Sequence, residues 1–296
     1  MGGDSEVAYP DLPGALPPTP TTDTEPWSER DFAPIVAFLR NQIGITLEPH
    51  RMGLLQARLR SRLQANGFAS FAQFNERVLK VDPTGSGMQL LIDLSTVNHT
   101  AFFREPGHFT FMAERVAASL KEAPNSPVKI WSAGCSTGQE PYSMAMVLAE
   151  SLPGATQRVE IWASDLSLEV LKAAASAIYN ARDVQGVTPA RLRRFFLRGH
   201  GPRSGSYRVV PEIRDMVKFR HLDLRNPSWA LPGDFHIIFC RNVSIYFAED
   251  ERVELLNRLA QHLRPGGWLA MGNGEILQEI PSIFRKQSPS IYRKEG

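Results

Sequence analysis

From Val128 onward, short apolar runs alternate with amphipathic stretches, and this rhythm limits the possible folds more than any other feature. "VKIWSAG" precedes a helical pattern through "PYSMAMVLAESL", and "RVEIWASD" precedes "SLEVLKAAASAI". "DFHIIFCRN" precedes "EDERVELLNRLAQHL", and "GGWLAMGNG" comes after that. The succession predicts an α/β fold, an open, mostly parallel, doubly wound sheet with helices on both faces. Residues 179–222 interrupt it. They carry a helix capped at Thr188-Pro189, then a candidate hairpin in "GSYRVVPEIRDMVKFRH", with "SYRVV" and "MVKFRH" as its two strands. That pair is expected to form a small β-subdomain inserted in the domain that spans 128–296.

The first part of the chain reads differently. Residues 1–26 are rich in Pro, Thr and acids and lack apolar periodicity, so a disordered tail is expected there. Order is expected from Trp27. Phe32, Ile35, Val36, Leu39 and Ile43 share one helical face behind a Ser28/Asp31 capping pattern, with Pro34 in conflict near the start. A second helix is expected from Pro49 to Asn66, with Met52, Leu55, Leu59 and Leu63 inward and Gly67 as its stop. A third is capped by Ser70, and a fourth lies in "GSGMQLLIDLSTV". The expected layout is an N-terminal helical domain over 27–97, then a linker and connecting helix over 98–127.

Charge narrows the function classes. The 296-residue chain has a formal net charge of only +2, so no global field points to nucleic acid or membrane. No apolar run reaches the ~18 residues of a membrane span, and no signal-peptide pattern follows Met1. The two cysteines, Cys135 and Cys240, lack metal-site spacing and read as packing thiols. A cytoplasmic protein without metal is expected.

In an open α/β sheet, ligands bind at the carboxyl ends of the strands. The turn "SAGCSTG" after the first strand is neither a dinucleotide fingerprint nor a phosphate loop with its lysine. Glu140 at the following helix start repels a pyrophosphate and suits a cationic amine, or else simply favours the helix N-terminus. Asp165 can accept from ribose hydroxyls or cap a helix. Asp223 in "HLDLRNP" can accept from an adenine amino group or stand as a surface acid. Asn242 follows an apolar strand, with Tyr246 just beyond. Together these groups suit amine, ribose, adenine and a reaction centre, as in S-adenosylmethionine.

"VNHTAFFREPGHF", "WSAGCSTGQEPYS", "IWASDLSLEVL" and "IIFCRNVSIYF" together resemble the CheR-type chemotaxis receptor methyltransferases, from about Trp27 to Tyr292. The resemblance implies a protein-glutamate O-methyltransferase that uses S-adenosylmethionine, releases S-adenosylhomocysteine and acts on the cytoplasmic region of chemoreceptors. It implies that Asn98, Thr100, Arg104, Glu140, Asp165, Asp223, Leu224, Asn242 and Val243 hold the cofactor. Asp223-Leu224 stands where familiar members often have Asn-Leu, "GNGE" (Gly272 to Glu275) replaces G-H-S-E, and Ser244 replaces Met in the segment ending in Tyr246. In some members the small β-subdomain tethers to a peptide at the receptor's C-terminus, and the loop with Gly199, Gly201 and Gly205 is similar in length to theirs.

A glutamate with a pKa of ~4.3 is ionised at neutral pH, so no general base is needed. Arg104 and Tyr246 are the candidate catalytic residues, as positioning groups for the incoming carboxylate, the cofactor's carboxylate, or both. His99 and His108 read as structural or cofactor-adjacent. Arg51, Arg58 and Arg62 share one face of the second helix, which contains no acid. That face is either solvated or a docking surface for an acidic receptor bundle. The rivals are a non-catalytic cofactor-binding signalling module and a nucleic-acid amino-methyltransferase. The latter lacks support because no Pro-Pro-aromatic follows Asn242. A monomer without nucleic-acid partner or membrane insertion is expected.

Overall fold

The computed structural model describes residues 27–43, 49–80, 86–95, 100–154, 156–275 and 280–296. The expected tail over 1–26, Asn98 and His99 lie outside them. The chain divides into two compact units, Met1–Val97 and Asn98–Gly296.

The first unit is helical. Helix α1 (Glu29–Ile43) begins at Ser28, whose Oγ accepts from the Asp31 N–H at 3.2 Å. Pro34 sits one and a half turns into α1 and faces solvent, so the helix loses one hydrogen bond and continues. Helix α2 (Pro49–Ala65) buries Leu55, Leu59 and Leu63. It ends where Gly67 takes φ 80° and the Phe68 N–H reaches back to the Leu63 carbonyl at 2.9 Å. Helix α3 (Phe71–Phe74) is capped by Ser70 and runs into a π-helical turn over Asn75–Leu79, and α4 (Ser86–Ser95) closes the unit. The core collects Ile35, Leu39, Leu59, Leu63, Phe71, Phe74, Leu90 and Leu91.

The second unit opens with α5 (Pro106–Glu122) and then follows the expected alternation. Strand β1 (Val128–Ala133) leads to α6 (Gln139–Ser151), and β2 (Val159–Asp165) leads to α7 (Leu168–Ser176). The next stretch holds β3 (Ile178–Asn180), α8 (Pro189–Phe195), β4 (Phe196–Arg198), β5 (Ser206–Val209) and α9 (Pro211–Arg214). Then come β6 (Val217–His221), β7 (Phe235–Cys240), α10 (Glu249–His262), β8 (Leu263–Met271), β9 (Phe284–Ser288) and β10 (Ile291–Lys294). The main sheet runs β6-β2-β1-β7-β8-β10-β9. Its first five strands are parallel, and β10 and β9 add antiparallel pairs at one end.

The pleat sorts the core into two layers. Val128 and Ile130 of β1, with Ile237 and Phe239 of β7, face a layer that includes Met112, Val116, Met144 and Leu148 from α5 and α6. Trp131, Ala133, Ile238 and Cys240 face the other layer with Leu255, Leu256 and Leu259 of α10. The chain moves outward from β1 through β2 to β6, then crosses to β7 and β8. The switch point therefore lies between β1 and β7, where an α/β sheet opens a crevice.

The expected hairpin of "SYRVV" with "MVKFRH" does not form. β5 pairs antiparallel with β3 and β4 in a separate three-stranded sheet ordered β3-β5-β4. β6 instead pairs parallel with β2, from Ile161↔Val217 to Asp165↔His221, so the insert ends before Val217. The reason is burial: the alternation in "VKFRH" suits the edge of the main sheet, where Val217 is buried and Lys218 pairs with Glu160 at 3.2 Å.

His236 on β7 gives this sheet an acid-sensitive seam. Its Nδ1 accepts the Lys129 N–H of β1 at 3.2 Å. Burial, then the Arg264 and Lys129 charges, lower its pKa to about 4. A base whose folded pKa lies below its unfolded value of 6.5 contributes stability that is full above that value. The contribution is lost as pH falls from 6.5 through about 4. Urea midpoints should therefore fall between pH 7.5 and pH 4, and His236→Gln should flatten that dependence. An equally steep fall in the variant would remove His236 as the cause.

Candidate active site

The turn from β1 into α6 is built on left-handed backbone: Gly134 (φ 80°), Ser136 (φ 49°) and Gly138 (φ 92°). A Cβ on Gly134 would lie 2.3 Å from Val243 Cγ2, so the chain ends of β1 and β7 approach as closely as a glycine permits. The Gly134 and Cys135 N–H groups both reach the Ser164 carbonyl, at 2.8 and 2.9 Å. Ser136 spends its N–H on Asp165 Oδ2 at 2.8 Å, while Asp165 Oδ1 accepts from the Ser167 N–H at 3.0 Å. Asp165 is thus not the cap of α7. Ser167 is, with its hydroxyl accepting from Val170 N–H. Asp165 staples two strand-end loops.

Glu140, in the first turn of α6, is 13% exposed. Oε1 accepts from Ser132 Oγ at 2.7 Å and Oε2 from Arg241 at 3.1 Å. Arg241 ends β7 and is 3% exposed, with its guanidinium 5.7 and 5.9 Å from the Phe109 and Phe239 ring centres. Its second terminal nitrogen donates to the Arg104 carbonyl at 2.6 Å and meets Glu105 Oε2 at 3.0 Å. Burial raises the Glu140 carboxyl above the ordinary range, opposed mainly by Arg241.

Arg104 itself is exposed, on a segment flanked by left-handed Phe103 (φ 56°) and Glu105 (φ 58°). The segment is anchored at both ends. Phe103 N–H donates to Ser143 Oγ at 2.9 Å, and the Phe103 ring lies 4.0 Å from the Arg191 guanidinium. An Arg104–Glu105 pair is a plain structural alternative, but Glu105 serves Arg241 and the ring of His108, at 3.0 and 3.3 Å. His108 is 5% exposed, bonds Ser290 Oγ at 2.7 Å, and is held below its usual pKa by burial and by Arg241. Burial pushes the Cys135 and Cys240 thiols far up, which suits packing and not nucleophilic work.

The third side is the loop after β7. Asn242 takes φ 59°, and Tyr246 lies half-buried at the end of a 3₁₀ turn, Ser244–Tyr246. Glu275 holds this loop. Its Oε2 accepts from the Asn242 and Gly272 N–H groups, each at 2.7 Å. Its Oε1 accepts from the Ser244 N–H at 2.9 Å and its hydroxyl at 2.7 Å. After β6, the Leu222 N–H reaches the Asp165 carbonyl at 3.0 Å, which brings Asp223 beside the second strand end. Asp223 accepts from Arg225 N and Nε, each at 2.9 Å, and ion-pairs with its terminal nitrogen. Leu224 is buried in the core with Trp229.

The structure therefore brings Arg104, Glu140, Asp165, Asp223, Leu224, Asn242 and Val243 to the carboxyl ends of β1, β2, β6 and β7. Thr100 is half-buried ahead of this group, and Asn98 is outside the described residues. Sequence reasoning assigns no role to Arg241 or Glu275. The one signal for Arg241 is an arginine ending an apolar strand next to Cys240, where burial requires an acid to meet it. The residues fit S-adenosylmethionine: the Glu140 and Asp165 carboxylates stand at neighbouring strand ends, chemically suited to an amine and to hydroxyls, and the left-handed Gly134 turn admits close backbone approach. Among the described residues no cluster of three His, Cys, Asp or Glu side chains could hold a metal ion, and no helix is long and apolar enough to cross a membrane.

A mostly parallel sheet with acidic acceptors at a glycine-lined strand end is the class of site that holds a nucleoside cofactor such as S-adenosylmethionine. Residues 98–292 match the CheR methyltransferase SAM binding domain and residues 30–94 the CheR all-alpha domain. The chemotaxis protein methyltransferase of Klebsiella aerogenes is 37% identical over 267 residues, covering 90% of each chain. That of Escherichia coli is 36% identical over 265 residues, covering 90% of this chain and 91% of the other. Chemotaxis protein methyltransferase 2 of Pseudomonas aeruginosa is 35% identical over 266 residues, covering 90% and 93%. The chain belongs to the CheR methyltransferase family.

Gly134→Ala tests the close approach. A β-carbon 2.3 Å from Val243 Cγ2 on a backbone of φ 80° should destabilise the second unit by about 1–3 kcal/mol. It should also weaken cofactor binding. Adding Val243→Ala should recover part of the stability in urea unfolding, because it removes the struck methyl group but not the strained φ.

Proposed function

We propose that this chain transfers a methyl group from S-adenosylmethionine to glutamate side chains in the cytoplasmic region of chemoreceptors, forming methyl esters in chemotactic adaptation. The observation that carries this reading is the tie between the two halves of the site. The exposed Arg104 hangs, by its own carbonyl, from the guanidinium that also holds Glu140. A cofactor-binding carboxylate and a substrate-facing cation thus share one rigid frame.

When bound, S-adenosylmethionine supplies an electrophilic methyl on a sulfonium. Asp165 accepts from the two ribose hydroxyls and Glu140 from the amine. The Asp223-Leu224 and Asn242-Val243 pairs, with Asn98 and Thr100, complete the contacts. The receptor glutamate is already ionised at neutral pH, so no base would be required for its carboxylate oxygen to take the methyl as the sulfonium carbon–sulfur bond breaks and S-adenosylhomocysteine leaves. Arg104 orients its carboxylate and Tyr246 positions it through the phenol. Charge is neutralised as the ester forms, so exclusion of water favours the step. This division of roles also disfavours a non-catalytic module, since such a module needs neither Arg104 nor Tyr246 for a reacting carboxylate. The enzyme acts in the cytoplasm as a monomer and has no nucleic-acid partner.

Two surfaces extend the reading to the receptor. On α2, Arg58 is exposed and Arg62 half-buried, with no acid in the helix. We assign this face to the acidic receptor bundle. Among the described residues β3 and β4 each pair only with β5, which leaves two edges for a receptor tail peptide. Leu197 and Ile178 are exposed there beside Arg208.

Transfer of radiolabelled methyl to receptor-containing membranes as a base-labile product tests the activity; no labelling, or base-stable label, would reject it. Asp165→Ala should weaken both S-adenosylmethionine and S-adenosylhomocysteine about ten- to a hundredfold in calorimetry, the size expected for lost bonds to a charged acceptor. Reversing Arg51, Arg58 and Arg62 to Glu should raise the KM for receptor and leave cofactor affinity nearly unchanged. Normal methylation by that variant would make the face merely solvated.

A further inference from the structure

Arg241 stands outside every role given above, yet it is the most confined cation of the site. Its side chain is 3% exposed and sits between two carboxylates and a carbonyl. The phenyl rings of Phe109 and Phe239 flank it. Its backbone is also held, because the next residue, Asn242, donates its N–H to Glu275. A guanidinium locked on so many sides presents one nitrogen to Glu140 in one direction. We propose that Arg241 is a positioning residue that acts through Glu140, keeping it ionised and aimed at the cationic amine of the cofactor's amino-acid end. The inference rests on the reading of Glu140 as the amine acceptor.

The surroundings show why such a residue is needed. Glu140 is desolvated and lies in the field of Glu105, which favours its neutral form. The other groups near it are Ser132 on β1, which donates a hydrogen bond, and the thiols Cys135 and Cys240, both pushed well above their usual pKa. His108 faces Arg241 and Glu105 with a lowered pKa, so it adds no compensating charge at neutral pH. Arg241 is therefore the one cation among the charged groups acting on Glu140. A neutral Glu140 would still fit the pocket, but it would no longer attract an ammonium group.

The test separates the amino-acid end from the nucleoside. Calorimetry would compare S-adenosylhomocysteine with 5′-methylthioadenosine, which lacks the amine and carboxylate, across Arg241→Met, Glu140→Gln and the double variant. Arg241→Met should weaken S-adenosylhomocysteine about tenfold or more at pH 7. It should change 5′-methylthioadenosine by less than about twofold. Its affinity for the former should rise with pH more steeply than in the native protein, as the destabilised Glu140 ionises. In the Glu140→Gln background the same substitution should cost little more. Equal loss for both ligands, a pH-independent loss, or additive losses in the double variant would overturn the proposal. If Glu140→Gln itself leaves the two ligands' relative affinity unchanged, the amine reading of Glu140 fails first and takes the proposal with it. Should Arg241→Met not fold, Arg241→Lys answers the same question. One ammonium for three acceptors should loosen S-adenosylhomocysteine at least about threefold and spare 5′-methylthioadenosine, and equal effects on both would overturn it.

Discussion

Five carboxylates converge on the carboxyl ends of the parallel strands: Asp223 meets Arg225, and the other four are met by backbone N–H groups, a hydroxyl or the buried Arg241. Asp165 uses two backbone N–H groups. Glu275 uses three N–H groups and a hydroxyl. Glu105 and Glu140 share Arg241. Taking an ion out of water costs several kcal/mol unless such bonds are made. The loops that make them are therefore as constrained as any strand. A turn, a strand-end loop and the Arg104 segment have no regular structure of their own, and charge-assisted bonds to these acids hold them in place.

The same bonds explain where the backbone is strained. Phe103, Glu105, Ser136 and Asn242 all take positive φ without being glycine. Such residues cost of order 1–3 kcal/mol each and persist where the surroundings over-determine them. Here Ser136 and Asn242 hand their N–H groups to Asp165 and Glu275, and Phe103 hands its own to Ser143. Strain and acid recognition occur at the same residues, which is the expected signature of a site shaped to meet a ligand.

This also decides what could be read in the sequence. The strand–helix succession from Val128 was legible because periodicity and small-residue turns are local signals. So were the caps at Ser28 and Ser70 and the stop at Gly67. Asp165 was legible because it ends an apolar run, and Glu140 because it opens the helix after a turn of small residues. Arg241 was not, since its partners lie at positions 104, 105 and 140 and only the crossover to β7 brings them together. β6 was misassigned for a related reason. "VKFRH" alternates equally well for a hairpin or for a sheet edge, and the choice depends on the Ile161↔Val217 register with β2, far away in sequence. β9 and β10, which extend the sheet beyond β8, carry too little apolar periodicity to announce themselves.

A reaction without a general base puts the burden of selectivity on geometry. An ionised glutamate is common on any protein surface, so chemistry alone cannot choose a substrate. The second unit has a packed route by which the small sheet can share in that choice. Phe102, two residues before Arg104, packs edge-on against Tyr179 of β3 and Phe196 of β4, with ring centres 4.9 and 5.4 Å apart. Tyr179 also donates its hydroxyl to the Thr137 carbonyl at 2.8 Å, within the turn that precedes Glu140. A substrate held at the small sheet would thus bear on residues packed against both the cofactor turn and the arginine segment. Close packing transmits displacements better than a flexible linker does. The small sheet, the Arg104 segment and the turn before Glu140 are accordingly packed together within this unit, so binding at the sheet would be felt at the strand ends.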